Sequence, residues 1–269
     1  MLPQWQSHLI KPKTGPEDPE LQEILNEALT QLSPQDLIQI ADEMAVRHRQ
    51  LFRPLRTNPH ALVSGFAEIA SAVTYTRAQA QTLVRFFSQG DYTPLIEALS
   101  NPLPAEERVA AFVERSGDLE PALAIELVSG VLHNTFPESC WWWTRWLWNP
   151  RTASGILPLL AGSTHNLLSE DLAEAYRRVG TVTAMSVHVA EETGLWTEEL
   201  VKDEQRRPFA ATVFLACMYC VYLYGTTGWR LSREFHSLLP RLPDMVRRLL
   251  GLKKGSSRIP SAAEQTLNA

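Results

Sequence analysis

Apolar residues recur three and four positions apart along most of the chain, as in Leu21, Ile24, Leu25, Ala28 and Leu32 and again in Leu37, Ile38, Ile40, Ala41, Met44 and Ala45, with charges between them. That spacing returns side chains to one face of an α-helix, and the strict alternation of a half-buried strand is scarce. Helix-start signals punctuate the pattern at Asp18-Pro19, Ser33-Pro34, Asn58-Pro59, Thr93-Pro94 and Glu120-Pro121. Proline at a first helical position gives up no hydrogen bond there, and a preceding polar side chain caps free amides. Gly90, Gly117 and Gly251 follow periodic stretches and read as left-handed stops.

The pattern predicts helices over 19–32, 34–52, 59–73, 77–89, 94–100, 104–115, 120–134, 137–148, 152–162, 170–193, 197–206, 208–225, 231–239 and 243–250. This is an all-α chain of about 12–14 short helices, built around one large core or two abutting helical subdomains. The Pro-marked starts are 15, 25, 35 and 27 residues apart, which fits no helical repeat. A division is expected near Ser116-Gly117-Asp118, between an amphipathic subdomain over 18–117 and a more apolar one over 118–252. Residues 1–17, with three prolines, and the basic segment 253–269 read as mobile ends.

Composition adds compartment and charge. Of 269 residues, 45% are hydrophobic and 20% charged, near the globular average. The net charge of −5 is uneven, because residues 201–269 carry 11 Lys/Arg against 5 Asp/Glu. So weak a basic excess makes nucleic acid an unexpected partner. The opening Met1-Leu-Pro-Gln-Trp-Gln-Ser-His lacks a secretory leader's basic and apolar regions, and Cys140, Cys217 and Cys220 are an odd count, so a cytoplasmic location is expected, with contact to a membrane face as the alternative.

The most unusual segment is Cys140-Trp-Trp-Trp-Thr-Arg-Trp-Leu-Trp148, which holds five of the eight tryptophans. On a helix, Trp142 and Trp146 share one face and Trp141, Arg145 and Trp148 another, so indoles would surround the helix. Two readings stand: a helix buried between layers with its indole N–H groups paired to carbonyls, or an exposed aromatic surface that meets a partner or ligand or anchors at a membrane interface. The second makes Trp141, Trp142, Trp143, Arg145, Trp146 and Trp148 a partner-binding set, with Arg145 stacked on an indole.

Residues 209–224 are sixteen uncharged positions, short of the roughly 20 that cross a bilayer, and read as a core helix. Residues 241–252 form an amphipathic helix that either closes its own core or, through Arg247, Arg248, Lys253 and Lys254, meets a partner or an anionic membrane.

Chemistry is sparse. His188 and Glu191 lie three apart, the reverse of the Glu-x-x-His order used in helical metal sites, and Cys217-x-x-Cys220 has ligand spacing without a second pair. These four are weak metal candidates, and no metal or cofactor is expected. No G-x-S-x-G, G-x-x-x-x-G-K-[ST], G-x-G-x-x-G or H-E-x-x-H pattern occurs. The favoured reading is a non-enzymatic interaction protein such as an adaptor, assembly factor or regulatory subunit. The alternatives are a peripheral membrane protein, or a helical enzyme or cofactor binder using His188, Glu191, His165 or His133.

Overall fold

The computed structural model describes residues 30–74, 76–161, 167–192, 194–228 and 240–252. The expected helix 231–239, most of 19–32 and both expected mobile ends lie outside the described residues. Among the described residues the chain is all-α, with eleven α-helices and no strand: α1 (Pro34–Arg47), α2 (Ala61–Val73), α3 (Arg77–Ser88), α4 (Thr93–Ser100), α5 (Ala105–Arg115), α6 (Pro121–Thr135), α7 (Ile156–Ala161), α8 (Leu172–Glu192), α9 (Glu198–Lys202), α10 (Ala210–Gly228) and α11 (Leu242–Leu249).

The caps follow from the sequence. Ser33 and Asp36 form a reciprocal capping box on α1, with Asp36 N–H donating to Ser33 Oγ at 3.2 Å and Ser33 N–H to Asp36 Oδ2 at 2.9 Å. Thr76 and Gln79 repeat the device on α3, while Glu120 and Thr197 accept the third amide of α6 and α9. Gly117 and Gly251 end their helices with φ of +60° and +67°, as expected of stops, but Gly90 does not adopt a positive φ. The expected helix 34–52 is regular only to Arg47. It widens into a π-turn over His48–Phe52 and tightens to a 3-10 turn over Arg53–Arg56. Pro54 has no amide to return to Gln50, so the ladder must be re-paired there.

Buried side chains from Leu32 to Leu252 form one continuous cluster, with residues from both sides of the expected division at 116–118. At its centre lies α10, where Ala210, Val213, Phe214, Leu215, Ala216 and Cys217 are all buried, packed by α1, α8 and α11. By length and composition this helix could cross a membrane, but two-thirds of that window is buried inside the protein. Leu242, Val246 and Leu250 of α11 are buried in the same core, so the apolar face of that helix is already covered.

Candidate functional site

The Trp-rich segment is not the expected helix over 137–148. After α6 the chain turns at Phe136–Ser139, runs non-helically through 140–144, turns again at 145–147 and closes with an antiparallel bridge between Asn149 and Ser154. Side chains of the flanking helices hold its backbone. The Ser129 hydroxyl accepts Trp143 N–H at 3.0 Å and donates to Trp143 O at 3.1 Å. Tyr176 of α8 does the same for Trp141, at 2.8 and 2.7 Å. Glu126 accepts Arg145 N–H at 2.9 Å and two further guanidinium bonds at 3.1 and 3.3 Å. A buried irregular segment must find partners for its amides somewhere, and here α6 and α8 supply them.

The physical reason for the departure is the indoles. A helix would spread them around its circumference, whereas an extended run sends successive side chains to opposite sides, between separate layers. Trp142, Trp143, Trp146 and Trp148 are all under 5% exposed. Four buried indoles remove roughly 150–250 Å² each from water, on the order of 15–25 kcal/mol of gross burial. Trp143 Nε1 donates to Trp148 O at 2.9 Å, but Nε1 of Trp142, Trp146 and Trp148 has no acceptor among the described residues. Each orphaned donor costs about 1–3 kcal/mol, so burial still wins. These four are therefore wall and core rather than exposed surface, and three of them lack the carbonyl partners expected of a buried set.

Two helical glycines make this arrangement fit. A Cβ on Gly130 would lie 2.9 Å from Trp142 Nε1, and one on Gly180 would lie 2.2 Å from Cδ1 and Nε1 of Trp141. An isolated glycine inside a helical pattern is the sequence signal of such close approach, and it was available at both positions.

The segment walls two clefts. The first, about 470 Å³, lies between the start of α5, Ser139 and α8, and is lined by half-buried Trp141 with Tyr176, Gly180 and Ala184. Met185, 62% exposed, stands at its lip, and Arg177 pairs with Glu106 at 3.5 Å beside it. The second, about 390 Å³, lies between the N-terminus of α6 and residues 143–151, where Trp143, Trp148 and Ile125 meet the Glu126–Arg145 pair. Of the expected partner-binding set, Trp141 and Arg145 keep part of their surface.

His133, Tyr176 and the three cysteines are held neutral inside. His133 is buried, with Nδ1 2.8 Å from Cys140 O and Nε2 3.1 Å from Thr212 Oγ1. Only a donor can face that carbonyl, so the proton sits on Nδ1 and Nε2 accepts from Thr212. Burial pushes the imidazole down to about 4. Burial likewise pushes the Tyr176 phenol and the Cys140 thiol up, Cys220 up to about 12 and Cys217 well up. These thiols pack as small hydrophobes.

The remaining candidates are described only in part. Arg247 is tied to Glu43 with Nε 2.9 and 3.1 Å from its carboxylate oxygens, and Arg248 is exposed. Lys253, Lys254 and His165, and the side chain of His188, lie outside the described residues, while Glu191 is exposed on α8. Among the described residues no three His, Cys, Asp or Glu are grouped to hold a metal ion. The functional residues that sequence reasoning missed are Glu126, Ser129 and Tyr176, which position the segment, and Met185 at the cleft.

Fold and site together define an all-α array with an aromatic segment threaded through it and a cleft on either part of that segment. In comparisons with protein-family models, with curated proteins and with solved structures, nothing matches the chain.

Proposed function

We propose that the chain is a non-enzymatic helical interaction protein and that a partner protein docks at the first cleft, over Trp141. The observation that carries this reading is a half-exposed indole held rigid: its backbone is bonded on both sides by Tyr176, and its ring lies on Gly180. Aromatic, Met and Arg side chains are the ones enriched at protein interfaces, and a preorganised anchor costs little entropy on binding. Met185 and Arg177 supply the other two residue types at the same cleft. That His133 and Tyr176 are neutral and bonded to backbone or hydroxyl supports a binding role over acid–base chemistry at this segment.

A photo-cross-linking residue at position 185, introduced in the protein's own host, tests this. One protein should be captured there and copurify stoichiometrically by native mass spectrometry, and Met185→Glu should release it without lowering stability. A bare chain, a chain with only a small ligand, or a partner retained by Met185→Glu refutes the reading.

A further inference from the structure

A third cavity, of about 280 Å³, lies apart from the Trp segment, between the C-terminal half of α1, the end of α2 and the turn at Gly251–Leu252. Its lid is fixed: Gly251 has φ +67°, and a Cβ there would meet Ala72 O at 2.6 Å. Val46, Leu51 and Leu252 supply an apolar wall, and Arg47 and Glu68 supply charges of opposite sign.

Arg47 is the unusual member. Its guanidinium donates through Nη1 to Ala72 O at 3.2 Å and Leu250 O at 2.6 Å, and through Nη2 to Asn134 Oδ1 at 2.9 Å. All three acceptors are neutral, and among the described residues no carboxylate bonds to it and its buried Nε–H has no acceptor. A guanidinium has five N–H donors, so two remain unused. Burial without a compensating anion pulls its pKa down to about 10. Glu43, which also lines the cavity, is already committed to Arg247 at 2.9 Å. Glu68, exposed at the mouth, bonds to no described side chain. Among the described residues, the cavity thus holds a half-buried cation without a counter-ion, an apolar wall, the paired Glu43 carboxylate, and an anion without a counter-ion at its rim.

We propose that this cavity binds a small zwitterion, with a carboxylate against Arg47, an apolar stem along Val46, Leu51 and Leu252, and an ammonium group toward Glu68. A carboxylate oxygen takes a charge-assisted bond from the remaining Nη2 donor and supplies the negative charge that the guanidinium lacks. The proposal stands independently of the Trp141 reading.

Titration calorimetry with 6-aminohexanoate, hexanoate and hexylammonium tests both ends. The first should bind at millimolar concentration or tighter. Hexylammonium, lacking the bond to a buried charge, should bind at least about tenfold weaker. Hexanoate should bind about three- to fivefold weaker, the worth of a surface ion pair. Glu68→Gln should bring 6-aminohexanoate down to hexanoate and leave hexanoate unchanged, and Ser71→Trp, which fills the mouth, should abolish both. No binding of 6-aminohexanoate up to about 20 mM, or binding that survives Ser71→Trp, overturns the site. Hexanoate binding as tightly as 6-aminohexanoate, or no effect of Glu68→Gln, overturns the zwitterion assignment.

Discussion

The bond between Glu126 and Arg145 is one of the ties between the threaded segment and α6, beside those of Ser129 and His133, and its contribution can be measured. The Glu126 side chain is 2% exposed and the Arg145 side chain 33%. The carboxylate serves Arg145 three times and Gln79 Nε2 once, at 3.1 Å. Removing one partner of a fully buried pair costs about 3–5 kcal/mol. Because the guanidinium is a third exposed, solvent takes part of that charge and the figure falls to about 2–3 kcal/mol. Glu126→Gln keeps an oxygen for the Arg145 amide, so we expect a loss of about 2 kcal/mol. Arg145→Met strands a buried carboxylate and should cost about 3 kcal/mol. The double variant should cost about 3 rather than about 5 kcal/mol, a coupling of about 2 kcal/mol. In thermal melts Glu126→Gln should lower Tm by roughly 4–5 °C for a chain of this length. Urea unfolding followed by tryptophan emission and by far-ultraviolet dichroism measures all three variants. Additivity of the two substitutions within about 0.5 kcal/mol would refute the argument that this pair pins the segment.

Other outcomes follow from the same geometry. Gly180→Ala gains about 0.5–1 kcal/mol of helix propensity but pushes a methyl into the Trp141 ring, so it should lose about 1–2 kcal/mol net and shift indole emission; a stabilised variant contradicts the close approach. Tyr176→Phe removes both bonds to the Trp141 backbone and should cost about 2–3 kcal/mol in urea unfolding, whereas a loss below about 0.5 kcal/mol would mean that hydroxyl does not brace the segment. His133 takes a proton near pH 6.5 when unfolded and only near 4 when folded, so acid favours the unfolded chain. Its contribution is complete above pH 6.5 and falls by about 2 kcal/mol at pH 5 and about 3 kcal/mol at pH 4; a wild-type minus His133→Gln stability difference that stays flat from pH 7 to 4 contradicts this. Cys217 and Cys220 should react with an aromatic disulfide reagent only on unfolding, and fast modification of the native protein would show that α10 is not sealed in the core.

Much of the architecture was legible locally. Ser33-Pro34-Gln-Asp36 states a helix start by itself, because cap and amide are three residues apart, and Gly117 and Gly251 state stops because only a side chain without Cβ turns left-handed at low cost. The uncharged run from Phe209 to Tyr224 could be assigned to a helix from length alone. Local chemistry also explains a boundary that was missed: Pro54 breaks the ladder that began at Pro34. What no local pattern could decide was the course of Cys140–Trp148. Its spacing is compatible with a helix, and its backbone leaves that state only because Ser129, Glu126 and Tyr176, up to 35 residues away, accept and donate in place of the helical ladder. Whether an indole becomes core or surface is decided by what lies opposite it: Gly130 lets Trp142 sink into the interior, while Gly180 lets Trp141 pack against α8 with part of its surface still in water. The pairing of Arg47 with carbonyls from α2 and the C-terminal turn, rather than with an acid, is equally a product of three distant segments meeting. Helix propensity and capping act over four residues and can be read from the chain; hydrogen-bond partners and burial depend on neighbours that only the folded core brings together.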